Sequence, residues 1–257
     1  MDARVIVTSS LTLVLSSFAA ILSPTATVQA AELQVLAGGG IAGPLRELAA
    51  QFESGSGHTL VIRYGTTPEL IKLATTGGPF DLGVVPQEVM NDAAARARFT
   101  PGATTDIARV GLGVAVRAGA ARPDIGTPQA LKQALLDAKS IATIPESAAG
   151  AQVMRAFERL GITEAMKAKT KVPSGPAQIV QAVASGEADL GVFLLNVLTA
   201  PGLDVVGPFP ADLQREIVFT ATTAVETKQA EAARAFITYL TTPAARALIK
   251  AKGMNPS

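Results

Sequence analysis

Cysteine and tryptophan are absent from this chain of 257 residues, and histidine occurs once. Without cysteine there is no disulfide, no thiolate metal site and no residue to which a lipid could be attached near the N-terminus. The one histidine, His58, ends the turn-rich sequence 54–58 and is predicted to be a solvated turn residue. This composition excludes a histidine-based zinc site and a Cys-His nucleophile, and a Ser-His-Asp triad would have to use His58.

Aromatic residues and excess charge are also scarce. Phe, Trp and Tyr make up 4% of the chain, which argues against a sugar site built on stacked rings. The 22 Lys and Arg residues nearly balance the 21 Asp and Glu residues, and no basic stripe is present. We therefore expect neither nucleic acid nor an anionic membrane as a partner. No cofactor is predicted.

The first thirty residues have the order of a signal peptide. Arg4 precedes an apolar and small-residue run at 5–22, and Pro24 and the sequence Val28-Gln29-Ala30 follow. A cation, an apolar segment and small residues at −3 and −1 of a cleavage site are typical of export signals. The alternative, a membrane anchor, fits less well because several Ser and Thr residues interrupt the run. We predict cleavage after Ala30 and a soluble periplasmic protein.

The rest of the chain reads as alternating strands and helices. β-Prone runs at 33–37, 60–64 and 81–85 are separated by amphipathic segments, one at 41–52 and one that begins at 66–69. The sequence Thr66-Thr67-Pro68-Glu69 is typical of a helix start, with hydroxyls, an early proline and an acid in the first turn. Strands separated by helices predict a parallel sheet covered on both faces.

A repeat at an offset of 108 residues indicates two similar halves. Residues 68–84 read PELIKLATTGGPFDLGV and residues 176–192 read PAQIVQAVASGEADLGV, with eight of seventeen positions identical. The identities include Gly78 with Gly186 and Asp81 with Asp189. Chance agreement is the alternative in a chain rich in Ala, Gly and Val. The aligned Pro, Gly and Asp residues favour two α/β lobes of similar build.

Two long β-prone runs predict how the lobes are joined. Residues 109–116 lie between the two copies and residues 215–222 follow the second. If both cross between lobes, the first lobe is discontinuous and the pair has a hinge. We predict an α/β fold of two Rossmann-like lobes with a hinge of two crossing strands. The predicted limits are 31–110 with 222–257 for the first lobe and 111–221 for the second.

Four predicted helix starts should point into the cleft between the lobes, because ligands bind beyond the carboxyl ends of parallel strands. Each start offers unpaired N–H groups and a partial positive charge, so the predicted ligand is an anion. The candidate binding residues at these starts are Gly39, Gly40, Thr66, Thr67, Ser147, Ala148 and Ser174. Their hydroxyls are also explained as helix N-caps, and that alternative stays open at this point.

Four segments resemble a known family. They are VLAGGGIAGPLRELAAQF, RYGTTPELIKLATTGGPFDLGVV, ASGEADLGVF and AARAFITYLTTPAARALIKAKGM. Together they are similar to the periplasmic molybdate-binding proteins of ABC transporters and to their wider group of extracellular solute-binding proteins. The resemblance implies a type II periplasmic-binding fold. It also implies a monomer that captures a small anionic solute and delivers it to an inner-membrane ABC permease.

The chain departs from the molybdate-binding pattern at two positions. Gly40 stands where those proteins have a serine after the first strand, whereas Thr67 keeps a hydroxyl after the second. The resemblance also implies anion contacts from backbone amides near Ala148 and Gln178. Leu194 stands where those proteins have a tyrosine, so a second hydroxyl donor is missing. We therefore predict a roomier and less polar pocket that favours an organic carboxylate over molybdate or tungstate.

Other residues remain open for contact with such a ligand. Gln178 and Asn196 are candidates, and Arg109 is either a counter-charge at the first crossing or a solvated arginine. Two alternatives to solute capture for transport stay open. An exported isomerase or lyase on the same scaffold would need an acid or base, for which Glu69 and Glu146 are the nearby carboxylates. A sensor module would present its solute to a receptor.

Overall fold

The structure, a computed structural model, describes Met1 and residues 30–257. The predicted signal peptide therefore falls almost wholly outside the described residues, and its cleavage stays a prediction. The described elements form two α/β halves, each built around its own sheet. This arrangement confirms the predicted fold class.

The first sheet contains strands from both ends of the described chain. Its strands are β1 (Glu32–Gly38), β2 (Thr59–Gly65), β3 (Leu82–Pro86), β4 (Thr105–Val110), β10 (Ile217–Thr223) and β11 (Asn255–Pro256), in the order β11-β4-β10-β3-β1-β2. β1 is parallel to β2 and β3, whereas β10 is antiparallel to β3 and β4. The accompanying helices are α1 (Ala42–Ser56), α2 (Thr67–Thr76), α3 (Ala93–Arg96), α9 (Ala230–Leu240) and α10 (Pro243–Ala251), with 3-10 turns at Gly39–Ile41 and Gln87–Asn91.

The second sheet is built from the middle of the chain. Its strands are β5 (Leu112–Arg117), β6 (Ile141–Ala142), β7 (Thr170–Lys171), β8 (Leu190–Leu194) and β9 (Leu203–Pro208), in the order β7-β6-β8-β5-β9. β6 is parallel to β7 and β8, whereas β5 is antiparallel to β8 and β9. The accompanying helices are α4 (Pro128–Asp137), α5 (Ala148–Leu160), α6 (Thr163–Lys167), α7 (Pro176–Ala184) and α8 (Leu195–Leu198).

The positions that the repeat aligns have equivalent roles in the two sheets. Gly78 and Gly186 have φ of 86° and 77°, left-handed conformations that favour glycine. Asp81 Oδ2 accepts a hydrogen bond from Gln34 N at 2.8 Å, and Asp189 Oδ2 accepts one from Lys139 N at 2.7 Å. Each aspartate thus ties its own strand to the neighbouring segment of the sheet. The repeated residues are structural.

Two crossings join the halves, and one predicted limit is wrong. Gly111 separates β4 from β5, which belong to different sheets. In the second crossing, Gln214 accepts from Leu112 N at 2.7 Å and donates to Leu112 O at 2.8 Å, which ties the crossings together. The second lobe was predicted to extend to residue 221, but β10 begins at Ile217 and pairs with β3 and β4. The chain has therefore returned to the first sheet before residue 221.

His58 lies at the edge of the apolar core. It is 6% exposed, its Nδ1 accepts from Ala31 N at 3.1 Å, and its ring stacks on Phe52 with centroids 5.8 Å apart. The prediction of a solvated turn residue was wrong, because this side chain packs inward and holds the start of the first strand. None of the helices within residues 30–257 is long and apolar enough to span a membrane.

Candidate functional site

Two cavities lie side by side between the halves, and both are lined by Gly39, Gly40 and Pro176. The smaller, here called the central pocket, has a volume of about 30 Å³. Its other lining residues are Thr66, Thr67, Pro86, Ile144, Ser147, Ala148, Ala149, Phe193, Leu194, Ile217 and Phe219. The larger, here called the lateral cleft, has a volume of about 740 Å³. Its other lining residues are Ala42, Gly43, Pro44, Arg46, Tyr64, Ala177, Gln178, Val180, Asn196, Val197, Thr199, Ala200, Ala251 and Lys252.

The central pocket brings together most of the predicted binding residues, but its polar groups bond to one another. Ala148 N, at the start of α5, donates to Thr67 Oγ1 at 2.9 Å. This bond joins the first half of the molecule to the second. The Thr67 oxygen thus occupies the position at which an anion oxygen would meet the Ala148 amide. The two halves close on each other through their own groups.

The hydroxyls of Ser147 and Thr66 are held in local hydrogen bonds. Ser147 Oγ donates to Ile144 O at 2.8 Å and accepts from Gly150 N at 3.0 Å. Thr66 Oγ1 donates to Glu69 Oε2 at 2.9 Å, and the same carboxylate oxygen accepts from Thr66 N at 2.7 Å. Both residues therefore serve as helix N-caps, the alternative that the sequence left open. The proposed role of their hydroxyls as ligand donors is not supported by these contacts.

Apolar side chains fill the rest of the central pocket. A Cβ at position 40 would lie 2.5 Å from Leu194 Cδ1 and 3.0 Å from Phe219 Cζ, so Leu194 and Phe219 occupy the space of a side chain at Gly40. Leu194 is 2% exposed. The predicted loss of polarity agrees with this packing, but the predicted roominess does not. A cavity of about 30 Å³ has room for little more than one water molecule.

The amides that the resemblance placed at the start of α7 are already bonded. Gln178 N and Ile179 N both donate to Gly175 O, at 3.1 and 3.3 Å. Their bonds are those of a first helical turn. Ser174 lies apart from both interlobe cavities, is exposed, and lines a separate surface depression with Lys171 and Glu187. Its predicted place in the ligand site is not supported.

The lateral cleft contains the remaining predicted candidates, Gln178 and Asn196. Asn196 Nδ2 donates to Gly40 O at 2.8 Å, a second hydrogen bond between the halves. Within the described part of the chain, Asn196 Oδ1 is buried and has no hydrogen-bond partner. Gln178 is exposed at the first turn of α7.

Three further residues in the lateral cleft were missed by the sequence reasoning. The Arg46 guanidinium carbon lies 5.2 Å from the centroid of the Tyr64 ring, a cation–π contact. Burial raises the pKa of the Tyr64 hydroxyl above its usual value, and the charge of Arg46 opposes part of that increase. Lys252, just after α10, forms an ion pair with Glu47 at 2.7 Å. Two cations therefore lie on the wall of the cleft, and one of them, Lys252, is paired with Glu47.

One of these residues had a signal in the sequence. Tyr64 lies at the carboxyl end of β2, the place where parallel strands present ligand-binding residues. Arg46 and Lys252 had no such signal, because an exposed cation on a helix or at its end is ordinarily solvated.

Three charged candidates lie away from the two cavities. Arg109 pairs with Asp106 on β4 at 3.3 Å and is solvated, as the second of its two interpretations held. Glu69 is the helix-capping carboxylate described above. Glu146 is exposed and lines neither cavity. Among the described residues, no group of three or more His, Asp or Glu side chains is arranged to hold a metal ion.

Comparison with known proteins identifies relatives of this architecture. Aconitate isomerase from a Pseudomonas species is 34% identical over 233 residues, covering 87% of each chain. The molybdate-binding protein ModA of Azotobacter vinelandii is 30% identical over 230 residues, covering 88% of this chain and 90% of the relative. The solved Azotobacter vinelandii periplasmic molybdate-binding protein has a TM-score of 0.72 at 24% identity, covering 86% of this chain and 98% of that one.

The family match extends over nearly all of the described chain. Residues 33–255 match the family described as "Bacterial extracellular solute-binding protein". The type II periplasmic-binding fold that the resemblance implied is confirmed by the solved molybdate-binding neighbour. The chain therefore belongs to the bacterial extracellular solute-binding proteins, and within them it is of the ModA type.

Proposed function

We propose that this protein captures a small organic carboxylate between its two halves in the periplasm and delivers it to an inner-membrane ABC permease. The family supports solute capture, and the two cations on the wall of the lateral cleft, Arg46 and Lys252, support an anion. The observation that favours carboxylate over molybdate is the packing of Leu194 over Gly40 in the central pocket, which leaves no room for a side chain at position 40. That contact fills the space in which a compact tetrahedral oxyanion would need donors.

Gly40 and Leu194 do not supply the two hydroxyl donors that the resemblance implies for a molybdate site. A hydrogen bond to a charged oxygen contributes about 1.5–3 kcal/mol. Losing two of them should weaken oxyanion binding by roughly two to four powers of ten. The amide of Ala148 is in addition occupied by Thr67. The ModA relative named above is a molybdate-binding protein, so oxyanion capture is the alternative to be tested.

A direct test is calorimetric titration of the mature protein with molybdate, tungstate and a panel of small di- and tricarboxylates. We expect a carboxylate to bind and molybdate to show no affinity tighter than about micromolar, a binding free energy of about −8.2 kcal/mol. Nanomolar molybdate binding would show that the backbone amides suffice and would refute the carboxylate proposal. N-terminal mass analysis of the exported protein tests the periplasmic location, with Ala31 expected as the first residue.

A second function is favoured by the 34% identity to aconitate isomerase. An isomerase of that kind must remove a proton from one carbon of an unsaturated acid and return a proton to another. Among the described residues that line the two cavities, none is Asp, Glu or His, which leaves Tyr64 and Lys252 as the groups able to exchange protons. The raised pKa of Tyr64 makes loss of its proton harder, which argues against Tyr64 as the base and leaves it as a hydrogen-bond donor.

Incubation with cis- and trans-aconitate separates binding from turnover. Binding proteins leave each isomer unchanged, and this is the result that we expect. Interconversion that is lost in Tyr64→Phe would instead establish an isomerase that uses the lateral cleft.

A further inference from the structure

We propose that the lateral cleft is the ligand site and that its ligand is a hydroxy polycarboxylate. Arg46 and Lys252 bind carboxylate groups, Tyr64 donates to one of them, and Asn196 accepts a hydrogen bond from the ligand hydroxyl. The inference rests on the proposed capture of an organic anion. It adds the place of binding and the chemical class of the ligand.

The size and charge of the cleft support this assignment. Its volume of about 740 Å³ falls in the range of small-molecule sites. Two cations lie on its wall, and its described lining residues include no Asp or Glu. The first turns of α1 and α7 form part of the same wall and add partial positive charge from opposite halves of the molecule. A ligand with carboxylates at separated positions matches cations on separate elements, α1 and the end of α10.

Two buried polar atoms mark where the ligand completes the site. Within the described residues, Asn196 Oδ1 is buried and has no hydrogen-bond partner, and Tyr64 Oη is buried beside the Arg46 guanidinium with no partner at full hydrogen-bond geometry. Eight side-chain atoms of the described residues are buried in this way, and these two are the ones that belong to lining residues of the lateral cleft. An unpaired buried polar group is costly, so a ligand that bonds to them gains affinity. Tyr64 belongs to the first half and Asn196 to the second. A ligand therefore reaches both atoms when the halves part to admit it, and the bonds between the halves form again as they close on it.

The hydroxyl requirement follows from the orientation of Asn196. Its Nδ2 donates to Gly40 O at 2.8 Å, and a carbonyl oxygen is an acceptor only. Rotating the amide by half a turn would set Asn196 Oδ1 against Gly40 O, so the present orientation is fixed. The atom offered to the ligand is thus an acceptor, which a carboxylate cannot satisfy. A hydroxyl on the ligand can.

The test compares citrate with tricarballylate, which has the same three carboxylates on the same carbon chain but lacks the hydroxyl. Calorimetry on the mature protein should show citrate binding about 10-fold tighter. Arg46→Gln should weaken citrate binding by about 100-fold and Tyr64→Phe by about 10-fold, with Lys252→Gln smaller because Glu47 already shares that charge. Asn196→Leu should bring the ratio of the two affinities to about one. This ratio is insensitive to the loss of the bond to Gly40, which both ligands share.

Arg234→Gln on α9 is the matched control, since it removes the same charge from an exposed position that lines neither cavity. It should leave citrate affinity unchanged, and thermal melts should confirm that every variant is folded. Full citrate affinity in Arg46→Gln and Tyr64→Phe would overturn the site while leaving carboxylate capture intact. Equal affinity for citrate and tricarballylate in the unmodified protein would overturn the hydroxyl assignment. Absence of binding to either acid at about 1 mM would overturn this inference together with the proposed capture of such acids.

Discussion

The central pocket and the lateral cleft share one wall, yet they differ in how their polar groups are used. In the central pocket the Ala148 amide is bonded to Thr67, the Ser147 hydroxyl is bonded twice, and Leu194 and Phe219 cover Gly40. In the lateral cleft Tyr64 Oη and Asn196 Oδ1 have no partner at full hydrogen-bond geometry among residues 30–257, and two cations lie beside them. Polar groups already bonded gain little from a ligand, whereas unpaired ones gain a full hydrogen bond.

Under the proposed function, this difference is how a binding protein changes its ligand without changing its fold. Leu194 packs over Gly40, the two positions at which the resemblance implies hydroxyl side chains in molybdate-binding proteins, and the halves meet directly at the centre. The larger cavity is the lateral cleft beside the central pocket, and Arg46 and Lys252 line it. If the central pocket serves packing and the lateral cleft serves binding, substitutions in the first should lower stability and substitutions in the second should lower ligand affinity.

Phe219→Ala should destabilise the protein most. Phe219, on β10, is 1% exposed. Its ring packs against Gly38, at the end of the first strand, and Gly40, just after it. Truncating a buried phenylalanine costs about 3–5 kcal/mol. Urea unfolding should show this loss, while Thr199→Ala, an exposed position in the lateral cleft, should change the unfolding free energy by less than about 0.5 kcal/mol. Similar losses in the two variants would contradict the contrast between the cavities.

Gly40→Ser should destabilise the protein and fail to create an oxyanion site. The new Cβ would lie 2.5 Å from Leu194 Cδ1, and overpacking of this kind costs about 1–3 kcal/mol. Leu194→Ala is itself destabilising, but adding it to Gly40→Ser should cost less than the sum of the two single changes. A double-mutant cycle measured by chemical denaturation gives this coupling. Strict additivity would show that Leu194 does not cover Gly40 in solution.

Thr67→Val should favour separation of the two halves at a smaller cost. It removes the hydrogen bond from Ala148 N, a loss of about 0.5–1.5 kcal/mol because water reaches the freed amide once the halves part. Small-angle X-ray scattering should record a larger radius of gyration without ligand. Thr66→Ala, which removes a capping hydroxyl from the same loop, should lower stability without changing the radius. An unchanged radius in Thr67→Val would refute the role of this bond in closure.

Arg109→Gln should have the smallest effect. Arg109 is exposed and pairs with Asp106 on its own strand, and exposed ion pairs contribute little. We expect a change in unfolding free energy below about 0.5 kcal/mol and no change in citrate affinity. A loss of affinity would restore Arg109 as a counter-charge for the ligand.

The fold was predictable because its signals are local. The repeat aligned Gly78 with Gly186, and both have a positive φ that favours glycine. It also aligned Asp81 with Asp189, and both accept a hydrogen bond from a backbone N–H of the neighbouring segment. The Thr66 and Glu69 cap could likewise be read from spacing alone. The return to the first sheet at Ile217 was misplaced because β-prone residues do not reveal which sheet a strand joins.

The site was predictable only in part because it depends on contacts between the halves. The sequence indicated that two hydroxyls were missing, but not that Leu194 would pack against Gly40 from the other half. Lys252 lines the cleft from just after α10, far along the chain from Arg46 and Tyr64. The burial of His58 was missed for the same reason, since Ala31 and Phe52 approach it through the tertiary fold.

The most direct test of this account is a crystal structure of the mature protein grown with citrate. We expect citrate in the lateral cleft, with carboxylates on Arg46 and Lys252 and its hydroxyl on Asn196 Oδ1. Leu194 should still cover Gly40, and the Ala148 amide should still be bonded to Thr67. A citrate carboxylate seated on the Ala148 amide in the central pocket, with Thr67 displaced, would contradict it.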